Sequence, residues 1–184
     1  MLPIGPLMIE HRLIERVIQD MGAELSRLRA GSALDPPYLA TIIDFLRTYA
    51  DRTHHGKEED ILFADLAERQ IEPGLAGIMQ TLLEDHQRAR AATGRLAEAV
   101  AALGADGEGV AAPVEGTLAE LVALYPAHIA TEDRRFFKPA LGYFTRHEQE
   151  DMLQRFRKFD SSLIHERYRR VAETLAQRRL DPIP

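Results

Sequence analysis

The sequence predicts an all-α fold, an up-down-up-down four-helix bundle with an additional C-terminal helix. Three observations predict it. Apolar residues recur at three- and four-residue steps along nearly the whole chain. Short segments built on Gly and Pro separate the periodic stretches. No stretch alternates apolar and polar residues as a half-buried strand would.

The first helix covers about residues 7–29 and ends at Gly31, with Leu7, His11, Ile14, Ile18, Met21, Leu25 and Leu28 on one stripe. Asp35 followed by Pro36 has the form of an N-cap and first helical position. From there Leu39, Ile43, Leu46, Ala50, His54, Glu58 and Ile61 trace a second helix to about residue 69. Pro73 and Gly74 break the chain before a third helix through Leu75, Met79, Leu82, His86, Ala89, Leu96 and Val100. The segment LGADGEGVAAP reads as a loop. A fourth helix carries Leu118, Leu121, Tyr125, His128 and Glu132 and stops at Lys138-Pro139. Pro126 within it predicts a kink or bulge that aims His128. Thr145 and Glu148 form a capping box for a last helix running to about residue 178. The resulting organisation is an N-terminal arm at 1–6, a bundle at 7–140, and a C-terminal helix at 141–184 packed on it in the same domain.

The 184 residues are 45% apolar and 28% charged, as in a globular protein long enough to bury a core. A net charge of −6 speaks against nucleic acid as a partner. With no cysteine there is no thiolate metal site, and any metal must be held by nitrogen and oxygen. Glu10, His11 and Arg12 interrupt the apolar run a secretory signal needs, and no stretch is long enough to span a membrane. A cytoplasmic protein is expected.

The histidines do not fit an oily core. His11, His54, His86 and His128 sit on inward stripes, one per helix. Glu58 and Glu132 lie one turn beyond His54 and His128, on the same faces. Five of the seven histidines have an acidic residue four places on, where roughly one is expected by chance. Of these pairs, His55–Glu59 is turned away from the stripe and His147–Asp151 falls in the first turns of the last helix, so both are expected as solvated pairs. Buried carboxylates require pairing or a cation. Imidazole and carboxylate without sulfur suit iron, manganese or zinc. Six such donors are about right for two metals, each holding two histidines, with Glu58 and Glu132 bridging.

At the stretches MIEHRLIERV, HHGKEEDILF, LLEDHQRAR and YPAHIATEDRRFF the chain resembles the hemerythrin-like, HHE cation-binding family. The resemblance covers roughly residues 7–140. It implies His11, His54, Glu58, His86, His128 and Glu132 as ligands of a non-haem centre of two Fe ions with a bridging oxo or hydroxo group, with Mn or Zn as alternatives. Family members with HxxKEExLF place the ligand at the first histidine, here His54. Oxygen-carrying members have a fifth histidine four residues from that of the third helix, where this chain has Arg90 or Leu82. With one imidazole missing, a metal gains an open site, or another group fills it, of which Glu15, one turn from His11, is nearest. Glu15 is otherwise a neighbouring carboxylate, Arg90 stands at the mouth of the site or in solvent, and Tyr125 is a hydrogen-bond donor to the site or core. Phe63, Phe136 and Phe137 are expected as core.

The function this implies is binding or sensing of a small diatomic or peroxide, such as dioxygen, nitric oxide or hydrogen peroxide. The alternatives are a peroxide-consuming or other di-iron oxidative enzyme, and iron storage, delivery or stress repair. The last helix is basic and reads as the outer face of a packing helix or as a surface for a homodimer or protein partner.

Overall fold

A computed structural model describes residues 2–102, 111–160 and 164–180, apart from the side chains of 164–166 and 178–180. Of the loop expected at 103–113, residues 103–110 lie outside them, and 111–113 already belong to a helix. Leu163 and the His165 side chain lie outside them too. The described residues form six helices: α1 (Ile4–Arg29), α2 (36–67), α3 (Pro73–Ala101), α4 (111–141), α5 (Arg146–Phe159) and α6 (Ile164–Leu180). The first four pack side by side as the bundle; α6 lies on α1 and α2, and α5 on the second half of α2.

The helix starts follow the local chemistry. Asp35 caps α2, its side chain accepting from the Tyr38 amide at 3.0 Å, with Pro36 at the first position. Thr145 and Glu148 form the reciprocal capping box of α5. The Glu148 carboxyl is pulled down to about 2 by the Thr145 amide, Arg69 and the Thr145 hydroxyl. Its stabilising contribution is therefore present above the ordinary value of 4.5 and lost as pH falls through about 2. Thr145→Ala is expected to cost about 1 kcal/mol in urea unfolding at neutral pH.

Three features depart from the periodic reading. First, α1 begins at Ile4, where Ile4 and Leu7 are already buried. Second, the helix after Thr145 is two helices. Asp160 ends α5 in an extended conformation, and its carboxylate accepts from the buried Lys57 Nζ at 2.6 Å. Aspartate is a poor helix interior residue, and here a tertiary ion pair claims it. Third, Pro126 makes no bulge. The α-helix runs through it to Thr131, and the wide turn comes at Glu132–Phe136. Nor does the helix stop at Lys138-Pro139; it continues through Pro139 to Leu141.

The wide turns matter for the site. Leu46–His55, Glu58–Phe63 and Glu132–Phe136 have i→i+5 hydrogen bonding. The Thr53 hydroxyl adds a bond to the Thr48 carbonyl at 2.8 Å, the same five-residue span. Such turns are rare and concentrate at functional sites. Gly56 lies between the first two, where an added Cβ would come within 2.8 Å of the Phe159 ring, so glycine permits α5 to approach.

The core is two apolar clusters. One includes Ile14, Met21, Phe45, Tyr49, Leu96, Leu121 and Tyr168. The other includes Ile4, Leu7, Phe63, Leu82, Phe136, Phe137 and Phe156. Along each bundle helix a histidine stands where one cluster gives way to the other: His11 between Leu7 and Ile14, His86 between Leu82 and Ala89. The protein thus has a polar stratum between two dry layers.

Candidate metal centre

The stratum receives His11 from α1, His54, His55 and Glu58 from α2, His86 from α3, and His128 and Glu132 from α4. None of these side chains belongs to a residue more than 4% exposed. Donor atoms of His11, His54, Glu58 and Glu132 lie within 4.8 Å of one another, as do those of His55, His86 and His128. The glutamates join the two groups. His54 Nε2 is 3.4 Å from Glu58, and His86 Nε2 is 3.5 Å from the other Glu58 oxygen. Glu132 lies 3.1 Å from His11 Nε2 and 3.3 Å from His128 Nε2. Phe137 stacks on His11 and Phe63 on His86, so apolar rings wall the donors from water.

Every one of the five rings turns its other nitrogen to a carboxylate. His54 Nδ1 meets Glu10 at 2.9 Å, His86 Nδ1 meets Glu59 at 2.6 Å, and His11 Nδ1 meets Asp133 at 2.8 Å. His55 Nδ1 lies 3.4 Å from Asp51, and His128 Nδ1 lies 3.6 Å from Asp85, an ion-pair separation longer than a hydrogen bond. Four of these supports run between helices in a closed circuit: α1 to α2, α2 to α3, α3 to α4, and α4 back to α1. The carboxylates hold the hydrogen on Nδ1 and leave each Nε2 lone pair directed inward, as at metal sites. Cations back them in turn. Lys57 pairs with Glu10, Arg12 with Asp133, Arg88 with Asp85, and Arg90 with both Asp51 and Glu59.

The electrostatics favour a cation in the middle. His86 Nε2 and His128 Nε2 face each other at 3.1 Å, so without a metal one of them must carry a hydrogen and donate it to the other. His11 Nε2 and all four oxygens of Glu58 and Glu132 are buried without a hydrogen-bond partner, together with the outward His128 Nδ1. Burial drives the Glu58 carboxyl far up, and the facing Glu132 drives it further. Burial also opposes the charge on Glu132, but His128, His11 and His86 outweigh it and hold that carboxyl well down. Burial lowers the His128 imidazole, yet Glu132 and Asp85 overcome this and push it up to about 9. Burial keeps His54 down at about 4 against the pull of Glu10. Orphaned buried carboxylates cost several kcal/mol each. Their partner by donor type is a nitrogen- and oxygen-loving metal such as iron, manganese or zinc.

All six residues singled out from the sequence, His11, His54, Glu58, His86, His128 and Glu132, meet in this stratum. His55 is a correction. It is not a solvated partner of Glu59 but is 1% exposed, with its ring 3.8 Å from that of His86 and parallel to it within 13°. Glu59 pairs instead with His86 and Arg90. Neighbouring residues on an α-helix diverge by about 100°. Both histidines lie within the i→i+5 stretch Leu46–His55, whose wider turn narrows that angle, so both rings enter. The doublet itself was the available signal.

Glu15 is the second correction. It pairs with Arg12 at 2.9 Å, partly exposed, and does not join the donors. Arg90 is at the edge of the site, its guanidinium engaged by Asp51 and Glu59. Tyr125 is buried, its ring 6.3 Å from His55, and burial raises its hydroxyl. Phe63, Phe136 and Phe137 are core as expected. His147 is exposed. The carboxylates Glu10, Asp51, Asp85 and Asp133 carried no signal in the helical stripes, although Glu10, Glu59, Asp85 and Asp133 each adjoin a donor in sequence.

Fold and site together define a helical bundle built to hold metal between its helices. The model of the hemerythrin HHE cation binding domain family matches residues 2–140. The chain belongs to that family. No curated protein and no solved structure matches it with significance. No helix among the described residues is long and apolar enough to cross a membrane.

Proposed function

We propose that the protein is a non-haem di-iron protein that binds or senses a small diatomic or peroxide. His55, His86 and His128 would hold one ion, His11 and His54 the other, with Glu58 and Glu132 shared between them. The ions would supply redox chemistry and one coordination position left for a small ligand. The single observation that carries this reading is the unequal division of the imidazoles, three against two, around a shared pair of carboxylates. On this reading the open position would lie on the side of His11 and His54.

The chain's own residues do the rest. The Nδ1 carboxylates orient the rings, the Phe63 and Phe137 rings exclude water, and Glu58 and Glu132 offset the charge of the ions. Full burial of all seven donors favours a resident metal over one held as cargo, which disfavours storage and delivery.

Protein reconstituted anaerobically with ferrous iron is expected to hold two ions per chain. Its visible absorption is expected to change when oxygen, nitric oxide or hydrogen peroxide is added. Repeated consumption of peroxide, lost in His54→Ala, would instead establish the oxidative enzyme. A loaded protein whose spectrum ignores all three ligands would overturn ligand binding.

A further inference from the structure

Arg90 occupies the junction of two supports. Its Nε donates to Asp51 Oδ1 at 2.6 Å, and its Nη2 donates to Glu59 Oε1 at 2.7 Å. Each of those oxygens also faces a ring: Asp51 Oδ1 lies 3.4 Å from His55 Nδ1, and Glu59 Oε1 lies 2.6 Å from His86 Nδ1. One guanidinium on α3 therefore spans two carboxylates on α2, and behind them stand two rings stacked 3.8 Å apart. The other rings have separate supports. His11 is backed by Asp133 and Arg12, His54 by Glu10 and Lys57, and His128 by Asp85 and Arg88. Arg90 alone among these cations serves two rings, and both belong to the group of His55, His86 and His128.

The geometry matters because stacking fixes the plane of each imidazole but not which of its nitrogens carries the hydrogen. His55 and His86 lie 3.8 Å apart and within 13° of parallel, and the group that selects which nitrogen each ring turns outward is the carboxylate at its Nδ1. The Asp51 contact to His55 is long, and it is the planar guanidinium fork that holds Asp51 in place. Glu59 Oε1 takes both the Arg90 guanidinium and the His86 ring on one oxygen, so the arginine fixes the atom that orients the imidazole. Arg90 also borders a cavity of about 240 Å³ whose lining includes His55, Tyr125 and Asp51, so the clamp forms part of that cavity's wall.

We infer that Arg90 is a positioning residue for one half of the centre: through Asp51 and Glu59 it fixes His55 and His86, and it thereby sets the affinity for the ion held by those rings and His128. The ion held by His11 and His54 is independent of it. This rests on the two-metal reading above.

Calorimetric titration of the stripped full-length protein with Mn²⁺ and, separately, Zn²⁺ tests it. Wild type is expected to show two binding steps. Arg90→Gln is expected to weaken one step by about 10–100-fold, the usual effect of losing an outer partner, and to leave the other unchanged. Arg90→Lys keeps the charge but cannot span both carboxylates, so it should show most of the same loss. Arg12→Gln, behind Asp133 and His11, should weaken the opposite step. In the stripped protein, the ¹⁵N signals of the His55 and His86 rings should show tautomer exchange in Arg90→Gln, with His11 and His54 unaffected. Equal weakening of both steps, no weakening, or full rescue by lysine would each overturn the inference while leaving two metals per chain intact. Wild type that binds neither metal in any step would instead overturn the metal reading itself.

Discussion

Loading the stripped protein with Mn²⁺ or Fe²⁺ is expected to raise its melting temperature by on the order of 10 °C. A metal present at about a thousand times its dissociation constant stabilises the folded state by about 4 kcal/mol. In a chain of this size each kcal/mol shifts the midpoint by about 2–4 °C. The reason lies in Glu58 and Glu132, two wholly buried carboxylates whose four oxygens have no hydrogen-bond donor. The stripped fold holds them at a cost that the metal removes. Replacing both, as Glu58→Gln with Glu132→Gln, reverses the pattern. Amide N–H groups can donate to the inward imidazole lone pairs, and two facing charges are gone. The stripped double variant is expected to be about 1–4 kcal/mol more stable than stripped wild type, and metal should no longer raise its midpoint. Differential scanning calorimetry of the four samples decides this. A metal-dependent rise that persists in the double variant, or a stripped variant weaker than wild type, would contradict the assignment.

His55→Ala is expected to reduce the metal content from two ions per chain to one. His55 shares a group with His86 and His128, and without it that group keeps two imidazoles. Loss of a direct ligand should exceed the about 10–100-fold penalty of losing an outer partner, so the second ion should be absent at micromolar metal. His147→Ala, on an exposed ring, should bind as wild type does. Elemental analysis after desalting, with the thermal midpoint measured in parallel, separates the outcomes. If His55 were only a packing residue, two ions would remain and only the midpoint would fall.

The bundle was legible because helical periodicity records burial directly. His11, His54, His86 and His128 lie on stripes whose other members are apolar, and Glu58 and Glu132 follow by one turn. Asp35 and Thr145 announced their caps through local chemistry that needs no partner elsewhere. The break at Asp160 was not legible, since its cause is Lys57, which lies 103 residues away in sequence. His55 was misread because an α-helical wheel turns it away from His54, and a wheel cannot represent a stretch that changes to i→i+5 bonding.

The chain's pattern alone therefore determined that helices form, which of them bring imidazole and carboxylate inward, and that thiolate chemistry is absent. Tertiary structure decided which nitrogen of each ring faces the centre, and it decided this through carboxylates supplied by other helices. Asp133 reaches His11 across 122 positions, and Glu10 reaches His54 across 44. The physical reason is that a periodicity reports only which side of a helix is buried. Hydrogen-bond partners are chosen by whatever the neighbouring helix presents at the same height.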